Sequence, residues 1–154
     1  MPVHVRDALR RKVLHRSRLQ TVAQHILREA GATDTELSVS VVGDRRIRRL
    51  NRQYRGLDCP TDVLAFAMRE VPKASRSILG DVVISIDTAS RQARAAKHSV
   101  DREVVVLLIH GILHLLGYDH ERNPREADKM QRKEQAVIGS LPPIPRLFRV
   151  IRNK

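Results

Sequence analysis

The sequence predicts an α+β fold, a mixed sheet of about four strands packed by about five helices, with a metal site on a buried helix and the loop after it. Three observations carry that reading. Apolar runs of strand length alternate with polar residues or are bounded by turns, five longer stretches repeat their apolar residues at helical spacing, and the two kinds of element do not follow a regular strand–helix–strand order.

Val3 to Arg6 reads as a short strand. Ser17 to Ala30 reads as a helix, with Leu19, Val22, Ala23, Ile26 and Leu27 on one face and Gly31 ending it. Leu37, Val39 and Val41 alternate with Ser38 and Ser40, the period of a half-buried strand. Asp44 is placed to cap a helix over Arg45 to Arg55, whose apolar stripe is Ile47, Leu50 and Tyr54. Val63 to Phe66 is a strand after a loop at Gly56 to Thr61, and a second loop over Arg69 to Ser77 leads through Gly80 into a strand over Asp81 to Ile86. Asp87 is positioned to cap a helix over Thr88 to Lys97, and Ser99 or Asp101 to cap the next one. Asn123-Pro124-Arg125-Glu126 has the form of a capping box with proline at the first helical position, opening a helix that stops near Gly139. The division expected is one domain over residues 1–140 and a basic, proline-interrupted tail over residues 141–154.

An apolar share of 42% in 154 residues suffices for one packed core. No apolar run has the roughly 18 residues needed to span a bilayer, and the N-terminus offers no secretory h-region. The lone Cys59 excludes an internal disulfide, which fits a reducing, cytoplasmic setting. A net charge of +12 favours a polyanionic partner. Only four aromatic residues exist (Tyr54, Phe66, Tyr118 and Phe148), which argues against a sheet of stacking aromatics and for a grip on phosphates. Arg45, Arg46, Arg49 and Arg52 on the second helix are candidates for that grip. A solvated surface is the plain alternative. Cations in a first helical turn oppose the helix dipole at a cost of a few tenths of a kcal/mol each, so Arg45 and Arg46 do not serve the helix itself.

The most informative segment is Ile109-His110-Gly111-Ile112-Leu113-His114-Leu115-Leu116-Gly117-Tyr118-Asp119-His120. His110 and His114 lie one turn apart on a helix, running from about Val104 to Leu116, that is apolar nearly all round and therefore buried. Buried imidazoles need partners for their ring nitrogens. Gly117 suits the left-handed conformation just past a helix end, so the chain can turn and bring His120 back. Three imidazoles leave a tetrahedral ion one open position, the arrangement of a catalytic zinc site (one Zn2+ ion). Such a site supplies hydroxide for hydrolysis at neutral pH. The residue after the first histidine is Gly111, where the HExxH metalloproteases carry their general base, so protease chemistry is disfavoured. The basic surface points to phosphodiesters, for which a guanidinium is a suitable stabiliser of developing charge. Asp119 or Asp62 is placed to orient a ligand histidine or simply to cap a turn.

The histidine segment resembles the signature of the bacterial rRNA-maturation endoribonuclease family called YbeY. Two further stretches agree in order and separation: Leu50-Asn51-x-x-Tyr54-Arg55 followed by Pro60-Thr61-Asp62-Val63-Leu64-x-Phe66, and Leu79-Gly80-Asp81-Val82-x-Ile84-Ser85. The resemblance covers about residues 3 to 140 and implies a zinc-dependent, single-strand-specific endoribonuclease acting in 16S rRNA 3′-end maturation and ribosome quality control. It implies His110, His114 and His120 as metal ligands, and Arg55 with His114 as catalytic residues. It implies single-stranded RNA, an rRNA precursor, as substrate, and the ribosome or its proteins as partners, with no membrane. Ala65 and Ala67 stand where the family usually has serine and proline, which puts fine specificity in question rather than activity. Two rival readings are a non-enzymatic, ribosome-associated RNA binder with a structural zinc, and a zinc hydrolase of small substrates.

Overall fold

A computed structural model describes residues 3–67 and 78–151. Four strands form the main sheet: β1 (Val3–Asp7), β3 (Glu36–Val42), β4 (Val63–Ala67) and β5 (Ile78–Ser85). Their order is β1-β3-β5-β4; β1, β3 and β5 are parallel and β4 runs antiparallel to β5 at the edge. Five helices accompany them: α1 (Arg16–Glu29), α2 (Asp44–Arg55), α3 (Ile86–Ala96), α4 (Val100–Leu115) and α5 (Pro124–Ser140). The expected α+β class and element count are therefore found. The loop expected over Arg69 to Ser77 lies outside the described residues.

Period-two alternation sorts the sheet's two faces. Leu37, Val39, Val41, Val82 and Ile84 point into the main core with α1, α3, α4 and α5, while Val42, Leu64 and Val83 point the other way against Ile47 of α2. Helix α4 is central to the main core: Val104, Val105, Leu107, Leu108, Ile109, Ile112 and Leu113 are all buried, as an all-round apolar helix requires. Among the described residues no helix is long and apolar enough to cross a membrane.

Gly111 faces the sheet. A Cβ there would lie 2.8 Å from Val82 Cγ1 and 3.4 Å from Val63 Cγ2, so the glycine lets α4 approach β4 and β5. Val82 is β-branched and fully buried, with little freedom to yield. Overpacking costs about 1–3 kcal/mol, and the better helix propensity of alanine returns up to about 1. Gly111→Ala is therefore expected to lower urea-unfolding stability by about 1 kcal/mol. Gly139→Ala, at a helical glycine with nothing within 4 Å, should leave it equal or raised. Equal effects of the two substitutions would remove the close-packing account.

Several helix ends differ from expectation in who caps whom. Gly43 is the N-cap of α2, and the Asp44 backbone N–H donates to Asp87 Oδ2 at 2.8 Å. Ser85 is the N-cap of α3, accepting from the Thr88 N–H, so neither Asp44 nor Asp87 caps its own helix. Asp44 instead receives the hydroxyls of Ser85 and Thr88, each at 2.6 Å, and the Arg91 guanidinium at 2.7 Å. Each aspartate serves the helix that follows the neighbouring parallel strand. Ser99 caps α4, while Asp101 accepts from the Leu147 N–H, and Asn123 caps α5 with Pro124 at its first turn.

Burial works against the Asp44 carboxylate, but the Ser85, Thr88 and Arg91 hydrogen bonds and the Arg91 charge outweigh it and hold the pKa below the ordinary 3.8. A depressed folded-state pKa gives stability that is complete above the unfolded value and is lost as pH falls through the folded one. Asp44→Ala should cost about 2 kcal/mol in urea unfolding at pH 7, with the gap from wild type narrowing once the pH drops past 3.8. A gap unchanged into the acid range would refute the carboxylate's role.

The strand over Asp81 to Ile86 begins earlier, at Ile78, and Ile86 belongs to α3. Two short strands escape the sequence reading: β2 (Lys12–Leu14) pairs antiparallel with β6 (Phe148–Val150). The proline-interrupted tail thus returns to the body. Leu147 is completely buried, and the His15 N–H donates to its carbonyl at 2.8 Å.

Candidate metal centre

His110 and His114 project from the last two turns of α4, and a C-terminal turn aims the next segment back at them. Leu116 ends the helix and Gly117 follows at φ +103°. The Tyr118 N–H reaches the Leu113 carbonyl and the Gly117 N–H the His114 carbonyl, each at 3.1 Å, the paired bonds of a Schellman motif. Tyr118 also packs against the main core, which fixes the exit angle. His120 thereby returns beside His110: the ring centroids are 5.1 Å apart, and those of His110 and His114 are 6.5 Å apart and nearly parallel. The His110 ring thus has both other motif imidazoles as neighbours.

Each ring has a distinct environment. His110 is half-buried and its Nδ1 lies 3.0 Å from Glu134 Oε1 on α5, leaving Nε2 as its other nitrogen. The Glu134 hydrogen bond, against burial and with added charge from Glu134 and Asp62, raises the His110 pKa above 6.5. A carboxylate that holds a proton on Nδ1 fixes the ring's tautomer and leaves Nε2 as the nitrogen a metal cation could take. His114 Nδ1 is buried without a hydrogen-bond partner among the described residues, a state that costs about 1–3 kcal/mol unless a ligand satisfies it. His120 is exposed, its Nε2 3.9 Å from Glu121 Oε1. Among the described residues no group of three or more His, Cys, Asp or Glu side chains is placed to hold a metal ion in this arrangement. The imidazoles stand as neighbours, with a carboxylate behind His110 and an unpartnered buried nitrogen on His114.

Glu134 was not legible as that carboxylate, lying 24 positions along the chain on another helix. The two aspartates considered for the role are used differently. Asp119 Oδ1 accepts the Glu121 N–H and caps the turn before His120. Asp62 accepts the Val63 N–H and the Gln92 side-chain amide and reaches His110 only through its charge.

Arg55 is the last residue of α2, on the opposite face of the sheet from α4. Its guanidinium donates to the Ala65 carbonyl of β4 at 3.4 Å. Strand β4 is also one of the strands against which Gly111 of α4 packs, through Val63. The arginine and the histidine helix therefore flank the same edge strand. The anchor is a main-chain oxygen, so alanine at position 65 does not weaken it. Tyr54 departs from the apolar stripe expected of it: the side chain is 61% exposed and its ring lies 5.1 Å from that of Phe66. An aromatic pair beside Arg55 is a feature that the low aromatic count concealed. Buried Asn51 donates to the Cys59 carbonyl, and Arg48 pairs with Asp58, so both hold the loop after α2. Of the four arginines considered for phosphates, Arg45, Arg46 and Arg49 line a cleft at the other end of α2, and Arg52 does not.

A family model described as endoribonuclease YbeY matches residues 5–142. The chain is 55% identical to the endoribonuclease YbeY of Anaeromyxobacter sp. (strain Fw109-5) over 76% of its own length and 60% of that protein. It is 45% identical to that of Aquifex aeolicus (86% and 88% covered) and 44% identical to that of Geobacter metallireducens (92% and 96% covered). The solution structure of TM1509 from Thermotoga maritima is similar with a TM-score of 0.59, at 26% identity and 89% coverage of both chains. With the family model matching residues 5–142 and relatives 44–45% identical over most of both chains, it belongs to the endoribonuclease YbeY family.

Proposed function

We propose that the chain is a metal-dependent endoribonuclease that cuts single-stranded RNA in 16S rRNA 3′-end maturation and ribosome quality control, in the cytoplasm and in contact with the ribosome. The observation that carries this reading is the return of His120 onto His110 beside a buried, unpartnered His114 nitrogen. His110, His114 and His120 would hold one zinc ion, with Glu134 fixing the orientation of the His110 ring. When bound, a divalent ion supplies Lewis acidity and lowers the pKa of water near neutrality.

The remaining work falls to the chain's own residues. Arg55 is a fixed positive charge at the edge strand and neutralises charge developing on the phosphoryl oxygens. Tyr54, exposed beside it, offers a face on which an unpaired base can stack. Stacking of that kind requires an unpaired strand, in line with single-strand preference. Gly111 packs against the sheet where a metalloprotease would need its glutamate, which weighs against peptide hydrolysis.

The test is cleavage of a labelled single-stranded precursor of the rRNA 3′ end by wild type and by His114→Ala, prepared identically. Cutting by wild type alone supports the reading. Equal cutting by both assigns the activity to a contaminant and restores the RNA-binding reading.

A further inference from the structure

The carboxyl ends of the parallel strands β1, β3 and β5 open onto a cleft of about 690 Å³, at the end of α2 away from Arg55. Six cationic residues line it: Arg10, Arg11 and Lys12 from the segment after β1, and Arg45, Arg46 and Arg49 from α2. Its two carboxylates are committed elsewhere, Asp44 to Ser85, Thr88 and Arg91, and Asp87 to the Asp44 N–H. Among the described residues none of the five arginines forms an ion pair, whereas Arg16, Arg48, Arg91 and Arg132 elsewhere all do. Six cations against two carboxylates, with no arginine of the cleft in an ion pair among the described residues, repel one another and raise the local potential. Arg45 and Arg46 also oppose the dipole of α2. Polyanion binding relieves both costs.

We infer that this cleft grips the phosphodiester backbone of the RNA several nucleotides away from the phosphate being cut. The inference rests on the ribonuclease reading and extends it to residues 10–12, which no motif singled out. Ten helical residues separate Arg45 from Arg55, about 15 Å at 1.5 Å per residue. A stacked strand covers that distance in about four nucleotides at 3.4 Å each. Helix α2 thus acts as a spacer between a phosphate grip and the reacting end, and substrates too short to bridge it lose the grip.

The test is an anisotropy titration of labelled single-stranded RNA of 4 and 16 nucleotides, across a range of salt concentrations. It compares wild type, Arg10→Ser/Arg11→Ser and a charge-matched control, Arg28→Ser/Arg102→Ser. Both pairs are exposed, so folding is checked simply by melting. The cleft variant should bind the 16-mer about tenfold more weakly at 0.1 M salt, with a log–log salt slope shallower by about 1.4 for two lost phosphate contacts. The 4-mer should lose far less, and the control should stay near wild type. Equal losses in cleft and control variants would overturn the inference by showing only generic charge, leaving the ribonuclease reading intact. A cleft-variant loss equal for 4-mer and 16-mer would overturn the spacing. Failure of wild type to bind RNA would overturn the inference together with the reading beneath it.

Discussion

His114→Ala abolishes RNA cleavage while leaving the protein folded; that is the expected result, and the environment of the ring explains both halves. Loss of a carboxylate that merely orients a ligand histidine costs a metal site about 10–100-fold, so loss of one of three ligands should cost more than about a hundredfold. Stability should move little. The ring is only half-buried, and its Nδ1 has no hydrogen-bond partner among the described residues, so removing it also removes an unsatisfied polar group. That relief, about 1–3 kcal/mol, offsets the packing lost with the imidazole. The measurements are cleavage rate, metal content and melting temperature with and without added zinc. Wild type should melt higher with zinc, by the linkage of binding to folding, and the variant should not. A variant that unfolds without metal would make His114 a packing residue. One that keeps both zinc stabilisation and cleavage would remove the histidine from the metal centre.

The parts of this molecule that were legible in the sequence are those whose causes are local. Alternation over Leu37 to Val41, the apolar helix carrying His110 and His114, and the glycine that turns the chain toward His120 each depend on neighbours within a few residues. The missed features are set by pairings distant in sequence. Lys12–Leu14 becomes a strand only because Phe148–Val150 arrives beside it, and three residues carry no periodic signal. The capping roles of Asp44 and Asp87 are exchanged because parallel pairing of β3 with β5 brings two helix starts together. Glu134 reaches His110 through the packing of α5 on α4, and nothing near position 134 announces it. After the prolines that follow Leu141, the apolar residues Leu147 and Phe148 are what seat the segment in the core.

Gly80→Ala should lower stability by about 3–5 kcal/mol. Gly80 sits inside β5 at φ +147°, where a residue with a Cβ is strained. The register between β3 and β5 slips at this point, with Glu36 opposite Ile78 but Leu37 opposite Gly80, so Leu79 is the extra residue of a bulge. An added Cβ would lie 2.2 Å from the Phe66 carbonyl oxygen and 3.1 Å from Leu115 Cδ2. A leucine tip can swing away, but a main-chain oxygen in a paired strand cannot move without dragging β4. That strand bears Phe66, against which Tyr54 packs, and the Ala65 carbonyl that anchors Arg55. The clash therefore also reaches the reacting end. At about 2–4 °C per kcal/mol for a domain of this size, melting should fall by about 10 °C, and cleavage below the new melting point should fall with it. The comparison is Gly117→Ala, also at positive φ but with nothing within 4 Å of its Cβ, which carries the backbone strain without the collision. If the two variants melt together, strain alone accounts for Gly80 and the contact with Phe66 contributes nothing. If Gly80→Ala melts far lower, the close approach of β5 to β4 is what holds the Arg55 anchor in place.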